Sequence, residues 1–300
     1  MSDTFDVNRK PYLDLLLADQ QRVLRPGFDY APTPFPSWNS RSRDDGGGSG
    51  IAMGWHIVLA GNPGFGKSVL AINLAAHAAA NGVAVGYVSL EMSHKQLAVR
   101  HLAIRTGLAI SPMERGTSYN HVHMTEATQG LLGHSDEPFA VCDEPFHDIH
   151  DVVSLMADWK AHGVTMFIVD YMQLMGSPGV SGPEEVAHVS RAIRGFAKAN
   201  KVITVGLSQF NRETSKNYEG SPAIQGLHGG MSMEADADQV LMLDHSQYQR
   251  VDDVGAMTWL LLGKNRHGPT GKIPIWLSYK NLQIRQALAD EVSDWPGGDE

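Results

Sequence analysis

The sequence predicts an α/β fold, in which a mostly parallel, twisted β-sheet is flanked by helices. From about residue 53, short apolar runs alternate with longer segments of helical periodicity. The first five runs are apolar almost throughout, which is typical of parallel strands that helices cover on both faces. Such alternation of strands and helices along the chain is typical of a wound α/β sheet.

Eight strands and four helices are predicted in this part of the chain. The predicted strands are residues 55–60, 84–90, 139–143, 165–170, 202–208, 239–244, 257–263 and 272–278. The predicted helices are residues 68–80, 93–107, 149–162 and 184–200. The first helix ends at Asn81-Gly82, and Ser93 is a candidate N-cap of the second. The last two strands, joined through "KNRHGPTG", predict a β-hairpin that closes one edge of the sheet.

Three regions are expected along the chain. Residues 1–50 form an N-terminal segment with a short amphipathic helix at 11–25, followed by a linker rich in proline, glycine and serine. Residues 51–285 form the α/β domain, and residues 286–300 form an acidic tail. Five acidic residues in the last eleven positions predict that this tail is solvated and disordered.

Composition and charge narrow the class of protein. Apolar residues make up 42% of the chain and charged residues 19%, which is enough for a hydrophobic core. The apolar runs fall well short of the ~20 residues that cross a bilayer, so no membrane segment is expected. The net charge of −9 argues against a protein that coats nucleic acid with its whole surface, so contact with nucleic acid would be local.

The cysteine content and the first residues predict a cytoplasmic protein. Cys142 is the only cysteine, which excludes an internal disulfide and favours a reducing compartment. The start of the chain has acidic residues before its apolar stretch and lacks a small-residue cleavage site, so no export signal is expected.

Residues 61–68, "GNPGFGKS", fit the GxxxxGK[ST] pattern of a phosphate-binding loop between a strand and a helix. Glycines let backbone N–H groups turn toward an anion, and the N-terminus of the following helix adds partial positive charge. Lys67 is expected to reach the β- and γ-phosphates, and the Ser68 hydroxyl to ligate Mg²⁺. The loop predicts a bound nucleoside triphosphate. Its residues are Gly61, Asn62, Pro63, Gly64, Phe65, Gly66, Lys67 and Ser68.

Three polar residues at the ends of other strands are candidates for hydrolysis. Asp170 ends the strand "TMFIVD", at the carboxyl edge where such sheets bind ligands, and its carboxylate suits Mg²⁺. Glu91, in "YVSLEMS", is a candidate base for the attacking water. Gln209, in "GLSQFNR", is a candidate sensor of the γ-phosphate. Together these residues predict turnover of the nucleotide.

The sequence resembles the RecA-like core of the replicative DnaB-type DNA helicases over roughly residues 53–280. The stretches that carry the resemblance occur in family order and with family-like gaps, and "DYMQLM" and "KNRHGPTG" are the most specific of them. They are "GNPGFGKS", "YVSLEMS", "MFIVDYMQLM", "EVAHVSRAIRGFAKANKVITVGLSQFNR", "SMEADADQVLML" and "GKNRHGPTG".

The resemblance implies a ring of six subunits, with ATP and Mg²⁺ at each interface and single-stranded DNA through the centre. It makes Glu91 the base for water, Asp170 the metal aspartate and Gln209 the phosphate sensor. Lys264 and Arg266 would be supplied to the ATP of the neighbouring subunit, where an arginine finger is worth about 10³ to 10⁵ in rate. It also implies 5′ to 3′ movement along DNA and a primase or a helicase loader as a partner.

The long polar segment 209–238 is the candidate DNA-binding loop, because loops of that length inside a domain are usually functional or disordered. The family often has an arginine just before the "EADAD" match, whereas this chain has "HGGM" there. Residues 175–186 are a second candidate pore loop. The candidate DNA-binding residues are Arg212, Lys216, His228, Gly229 and Gly230.

Other interpretations remain open from the sequence. The same fold could serve a RecA- or RadA-type strand-exchange ATPase, or a non-motor, ATP-gated loader or assembly partner in a replisome. The helix at 11–25 either docks on an adjacent subunit, as the resemblance implies, or packs on its own core. Its apolar residues are Leu13, Leu16, Leu17 and Leu24.

Overall fold

The structure is a computed structural model that describes residues 30–42, 49–115, 138–180, 183–210, 230–251 and 253–295. The strands are β1 (Tyr30–Ala31), β2 (Ile51–Ala52), β3 (His56–Gly61), β4 (Val85–Ser89), β5 (Phe139–Cys142), β6 (Met166–Asp170), β7 (Ile203–Gln209), β8 (Gln239–Arg250), β9 (Gly255–Asn265), β10 (Gly271–Ser278) and β11 (Ile284–Gln286). The helices are α1 (Pro36–Arg41), α2 (Lys67–Ala80), α3 (His94–Thr106), α4 (Ile110–Arg115), α5 (Ile149–Ala161), α6 (Pro183–Asn200), α7 (Gly230–Asp236) and α8 (Ala289–Ser293). A short 3₁₀ helix spans Met172–Leu174.

Nine of these strands form one sheet in the order β11-β10-β9-β8-β3-β7-β6-β4-β5. From β5 to β8 neighbouring strands are parallel, and from β8 to β11 they are antiparallel. Strands β1 and β2 form a separate antiparallel pair. The predicted α/β fold with a mostly parallel sheet and flanking helices is therefore confirmed.

Each face of the sheet carries its own hydrophobic layer. On β3, Ile57 and Leu59 pack in the layer that contains α2, while Val58 and Ala60 pack in the layer that contains α5 and α6. Because both faces are covered, every residue of β3 is buried, which explains the continuous apolar run in the sequence. No helix in the described part of the chain is long and apolar enough to cross a membrane.

The antiparallel half of the sheet is larger than predicted. Strand β8 continues to Arg250, six residues beyond the predicted end at 244. The predicted hairpin exists, but β11 pairs with β10, so the hairpin does not form the edge. The sequence signal for β11 was weak because this strand has only three residues.

Part of the segment expected to be a linker packs on the core. Phe35 and Trp38 are fully buried, and the Trp38 indole N–H donates to Oε1 of Gln239 at 3.0 Å. The proline- and serine-rich composition concealed two aromatic side chains that bury large apolar areas. The predicted helix at 11–25 lies outside the described residues.

The expected disordered tail is likewise wrong for residues 286–295. Ala289–Ser293 form a helix, and the buried Trp295 ring lies 5.0 Å from the Trp259 ring, measured between centroids. The two Nη atoms of Arg285 donate to Glu291 at 2.8 and 2.6 Å, so one of the tail acids is paired. Counting acidic residues missed this tryptophan anchor and this ion pair. The division into domains at residues 50 and 285 otherwise stays a prediction.

Gly86 on β4 is needed for the close packing of α5. A Cβ atom at this position would lie 2.4 Å from the Trp159 ring. We expect Gly86→Ala to lower the free energy of unfolding by about 1–3 kcal/mol, because overpacking a core displaces its neighbours. Gly195→Ala on α6 is the matched control, since its Cβ would meet no atom within 4 Å. It should be neutral or stabilising in chemical denaturation, and equal losses in both variants would contradict this account.

His56 predicts a loss of stability in acid. Its buried ring is hydrogen-bonded to the hydroxyls of Thr204 (2.9 Å) and Ser190 (3.1 Å), and burial lowers its pKa from 6.5 to about 4. Between these two values the unfolded chain binds a proton that the folded chain does not, so stability falls as pH decreases. The resulting loss in the free energy of unfolding reaches about 3 kcal/mol by pH 4.

The measurement is chemical denaturation of the unmodified chain and of His56→Gln between pH 7 and pH 4. Stability of the unmodified chain should decline more steeply with acidity than that of the variant. Parallel pH profiles would show that His56 does not titrate as its burial predicts.

Candidate active site

The predicted phosphate-binding loop lies between β3 and α2. Strand β3 ends at Gly61, and α2 begins at Lys67. Gly64 and Gly66 have φ of +77° and +86°, a left-handed conformation that glycine adopts without strain. A Cβ atom at Gly61 would lie 3.1 Å from Cγ of Lys67, so the loop packs closely on the lysine stem. The glycines thus serve both the turn and this close approach.

Lys67 is a buried cation at the start of α2. Only 6% of the residue is exposed, and Nζ donates to the Asn62 carbonyl oxygen at 2.8 Å. Burial lowers the pKa of Lys67, while the negative charges of Asp170 and Glu91 oppose that shift. A desolvated ammonium beside a helix N-terminus favours an anionic ligand such as a phosphate.

Asp170 is a buried carboxylate at the end of β6. It is 1% exposed, and Oδ2 accepts a hydrogen bond from the Tyr87 hydroxyl at 2.7 Å. The Ser68 hydroxyl also hydrogen-bonds this carboxylate. Burial raises the pKa of Asp170, and the hydrogen bonds from Tyr87 and Ser68 act in the opposite direction.

These oxygen donors fit Mg²⁺, the ion that the family resemblance implies. No group of three or more His, Cys, Asp or Glu side chains that could hold a metal occurs among the described residues. A site with one carboxylate and one hydroxyl suits Mg²⁺ bound with a nucleotide, because this ion usually keeps water and phosphate ligands. Asp170 and Ser68 are the residues that would hold it.

Strand register brings the other candidates to the same edge. Ser89 lies opposite Asp170, and Gln209 lies opposite Gly61. Glu91 is exposed two residues beyond β4, and its charge acts on Lys67. The carboxyl ends of β3, β4, β6 and β7 therefore place these candidates side by side at one end of the sheet.

A polar network surrounds Gln209. Its side chain is hydrogen-bonded to Tyr171. The amide of Gln173 donates to Oγ of Ser208 at 2.8 Å and to the carbonyl of Gln209 at 3.2 Å. The network thus connects the loop after β6 with the end of β7.

Lys264 and Arg266 lie at the amino end of the parallel strands, whereas the phosphate-binding loop lies at their carboxyl end. One carboxylate oxygen of Asp238 lies 3.5 Å from Arg266, and the other accepts a hydrogen bond from the backbone N–H of His56 at 2.9 Å. Strand β3 then runs about 16 Å from His56 to Gly61. Within one chain, the structure does not bring these two cations to the phosphate-binding loop.

Most of the candidate DNA-binding residues fall in a part of the chain that the structure does not describe. Arg212, Lys216, His228 and Gly229 lie outside the described residues. Gly230 is the first residue of α7. The second candidate pore loop, 175–186, is described except for residues 181–182.

Sequence reasoning missed Tyr87, Tyr171, Gln173 and Asp238. Tyr87 occurs in an apolar strand two residues before Ser89, so it shares a face with the strand end. A buried phenol usually has a hydrogen-bond partner, and this was the available signal. Gln173 lies within "DYMQLM", which was used only as a mark of resemblance.

Comparison with known sequences confirms the resemblance. Residues 45–285 match the family model described as the DnaB-like helicase C terminal domain. "Replicative DNA helicase DnaB" of Leifsonia xyli subsp. xyli is 32% identical over 233 residues, covering 76% of this chain and 50% of that protein. "Probable plasmid replicative DNA helicase" of Chlamydia psittaci is 28% identical over 222 residues, covering 73% and 48%. The chain thus spans about half the length of these curated relatives.

Solved structures show the same fold. One of them, described as an ATPase domain, superposes with a TM-score of 0.76 at 17% identity, covering 94% of this chain and 100% of that one. "The Structure Of A DnaB-Like Replicative Helicase And Its Interactions With Primase" gives 0.74 at 18% identity, covering 90% and 67%. The RecA-like architecture is therefore confirmed. Because the family model matches most of its length, the chain belongs to the DnaB-like helicase C-terminal domain family.

Proposed function

We propose that this chain is the motor of a replicative-type DNA helicase. It hydrolyses ATP with Mg²⁺ at the interfaces between copies of the chain, and couples hydrolysis to movement on single-stranded DNA and to duplex unwinding. One observation carries the proposal. The phosphate-binding loop and its carboxylates lie at one edge of the sheet, and Lys264 and Arg266 at the other.

The residues at the loop edge take distinct roles in hydrolysis. Backbone N–H groups of residues 61–68 and the Lys67 ammonium bind the phosphates. Asp170 and Ser68 would hold Mg²⁺, which would supply positive charge to offset that of the phosphates. Glu91 accepts a proton from the attacking water, and its exposure leaves it accessible to that water. Gln209 senses the γ-phosphate and passes the signal through Tyr171 and Gln173.

The charge on the transferred phosphoryl group is stabilised by Lys264 and Arg266 of a neighbouring copy. Six large apolar side chains are exposed in the described part of the chain. Two of them, Phe65 in the phosphate-binding loop and Leu174 shortly after β6, lie at the end of the sheet that carries that loop. Exposed apolar side chains at this place suit coverage by a second copy. A closed ring, six-fold by family resemblance, would complete every site.

Single-stranded DNA is the proposed track. Arg212, Lys216, His228, Gly229 and Gly230 contact its backbone, and a ring repeats each of them around the pore. An acidic chain can therefore still form a positive channel. A primase or a helicase loader is the proposed protein partner, and the cytoplasm the proposed compartment. The relatives are named as replicative helicases, which favours a motor over a recombinase or a passive loader.

The direct test is strand displacement on a forked DNA duplex. We expect unwinding with ATP and Mg²⁺, and none without ATP. Glu91→Gln should still bind ATP but hydrolyse it about 10² to 10⁴ times more slowly, because general-base catalysis contributes that much. Unchanged hydrolysis by Glu91→Gln would remove Glu91 from the mechanism, and ATP turnover without unwinding would favour the non-motor alternative.

Mixing two inactive variants tests catalysis between copies. Lys67→Ala loses the phosphate-binding cation, and Arg266→Ala should lower the rate of hydrolysis about 10³ to 10⁵ fold, as expected for an arginine finger. In mixed assemblies, some interfaces join an intact loop to an intact Arg266, so the mixture should regain part of the lost activity.

Lys160→Ala is the control, because it removes an exposed cation on α5. It should hydrolyse ATP at the normal rate. A mixture of Lys67→Ala and Arg266→Ala that is no more active than its two components would contradict catalysis in trans, as would full activity of Arg266→Ala alone.

A further inference from the structure

The phenol of Tyr87 lies directly against the carboxylate proposed to hold Mg²⁺. Tyr87 is fully buried on β4, and its hydroxyl donates to Oδ2 of Asp170 at 2.7 Å. On the neighbouring strand β6, Ile168 is opposite Tyr87 and Asp170 is opposite Ser89. The phenol thus reaches diagonally across two strands, a span within the length of an aromatic side chain.

The hydroxyl can act only as a donor toward Asp170. An ionised carboxylate has no proton to give, so it accepts. Burial and the nearby Asp170 charge raise the pKa of Tyr87 well above its ordinary value, so the phenol keeps its proton. The hydroxyl is therefore the donor and Oδ2 of Asp170 the acceptor of this hydrogen bond.

The position of this donor is fixed by packing. Tyr87 is part of the hydrophobic layer that contains α2, and its ring meets that of Phe139 edge-on, with centroids 6.4 Å apart. A carboxylate can rotate about its last side-chain bond, so its plane is set by the groups that bond to it. A rigid donor on Oδ2 restricts this rotation, while the Ser68 hydroxyl lies on the same carboxylate.

We propose that Tyr87 is a positioning residue, which orients the Asp170 carboxylate so that it meets Mg²⁺ together with Ser68. This inference rests on the proposed function, because it takes Asp170 as the metal ligand. Phenylalanine would fill the same space in the core without supplying the donor. The role of the hydroxyl can therefore be separated from the role of the ring.

The test is Tyr87→Phe, examined by binding of a fluorescent ATP analogue while Mg²⁺ is titrated. Loss of a partner that orients a metal ligand typically lowers metal affinity about 10- to 100-fold. We expect the half-saturating Mg²⁺ concentration to rise at least about tenfold. In EDTA the analogue should bind as tightly as before, because the phosphate-binding loop and Lys67 are unchanged.

Thr204→Val is the matched control. It also removes one fully buried hydroxyl, but this hydroxyl is bonded to His56 at the amino end of the sheet. We expect a loss of thermal stability comparable to that of Tyr87→Phe, with no change in half-saturating Mg²⁺. A shift in Thr204→Val as large as in Tyr87→Phe would show that Tyr87 acts only through stability, and would overturn the proposal.

The remaining outcomes are also decisive. An unchanged Mg²⁺ requirement in Tyr87→Phe overturns the positioning role but leaves the proposed function intact. If Mg²⁺ has no effect on nucleotide binding by the unmodified chain, the metal assignment fails and this inference fails with it.

If Tyr87→Phe is too unstable to titrate, Asp170→Asn is added, because removing the charge should restore its melting temperature. If Asp170→Asn does not restore the melting temperature of Tyr87→Phe, the link between Tyr87 and Asp170 is overturned. The same holds if Asp170→Asn raises the melting temperature of Thr204→Val equally.

Discussion

Two opposite charges buried at one edge of the sheet, Lys67 and Asp170, determine what this site can bind. Each is satisfied by neutral groups, since Lys67 donates to the Asn62 carbonyl and Asp170 accepts from the hydroxyls of Tyr87 and Ser68. Neutral partners compensate the desolvation of a full charge only in part. The two charges also act on each other, and a nucleotide with Mg²⁺ would add a further counter-charge to each. Ligand binding and stability are therefore linked, because a ligand that binds only the folded chain stabilises it.

The sheet topology separates the proposed trans-acting cations from the phosphate-binding loop within one chain. Parallel strands place their carboxyl ends together, which collects the loop, Asp170, Glu91 and Gln209 at one edge. Strand β9 runs the other way and delivers Lys264 to the opposite edge, with Arg266 just after its last residue. There Lys264 donates to the carbonyl of Glu234, and Arg266 to that of Ala235. Binding a phosphate of a nucleotide held by another copy would replace these neutral acceptors with a charged one, which forms stronger hydrogen bonds, and would separate Arg266 from Asp238.

Features of the fold and the site that depend on short stretches of sequence could be predicted, whereas contacts between distant residues could not. The turn at residues 61–68 and the strand ends at Asp170 and Gln209 could be predicted because spacing and apolar runs are properties of short stretches. Contacts between distant residues were not readable, because they depend on strand register. Tyr87 and Asp170 are 83 positions apart, and in the sequence Tyr87 resembles any aromatic core residue. Trp38 and Trp295 were misjudged for the same reason, since composition described their segments but not the partners they meet.

The packed N-terminal stretch supports the backbone that carries Lys264 and Arg266, the proposed trans-acting cations. Trp38 and Ser42 both bond to the side chain of Gln239, at 3.0 and 2.7 Å. The same Gln239 amide donates to Asn265 at 3.1 Å, and Asn265 donates in turn to the carbonyl of Arg41, also at 3.1 Å. Asn265 lies between Lys264 and Arg266, so α1 restrains the backbone from which both proposed trans-acting cations project. A cation that must reach another copy benefits from such support, because a rigid base lowers the conformational entropy lost when it engages a phosphate.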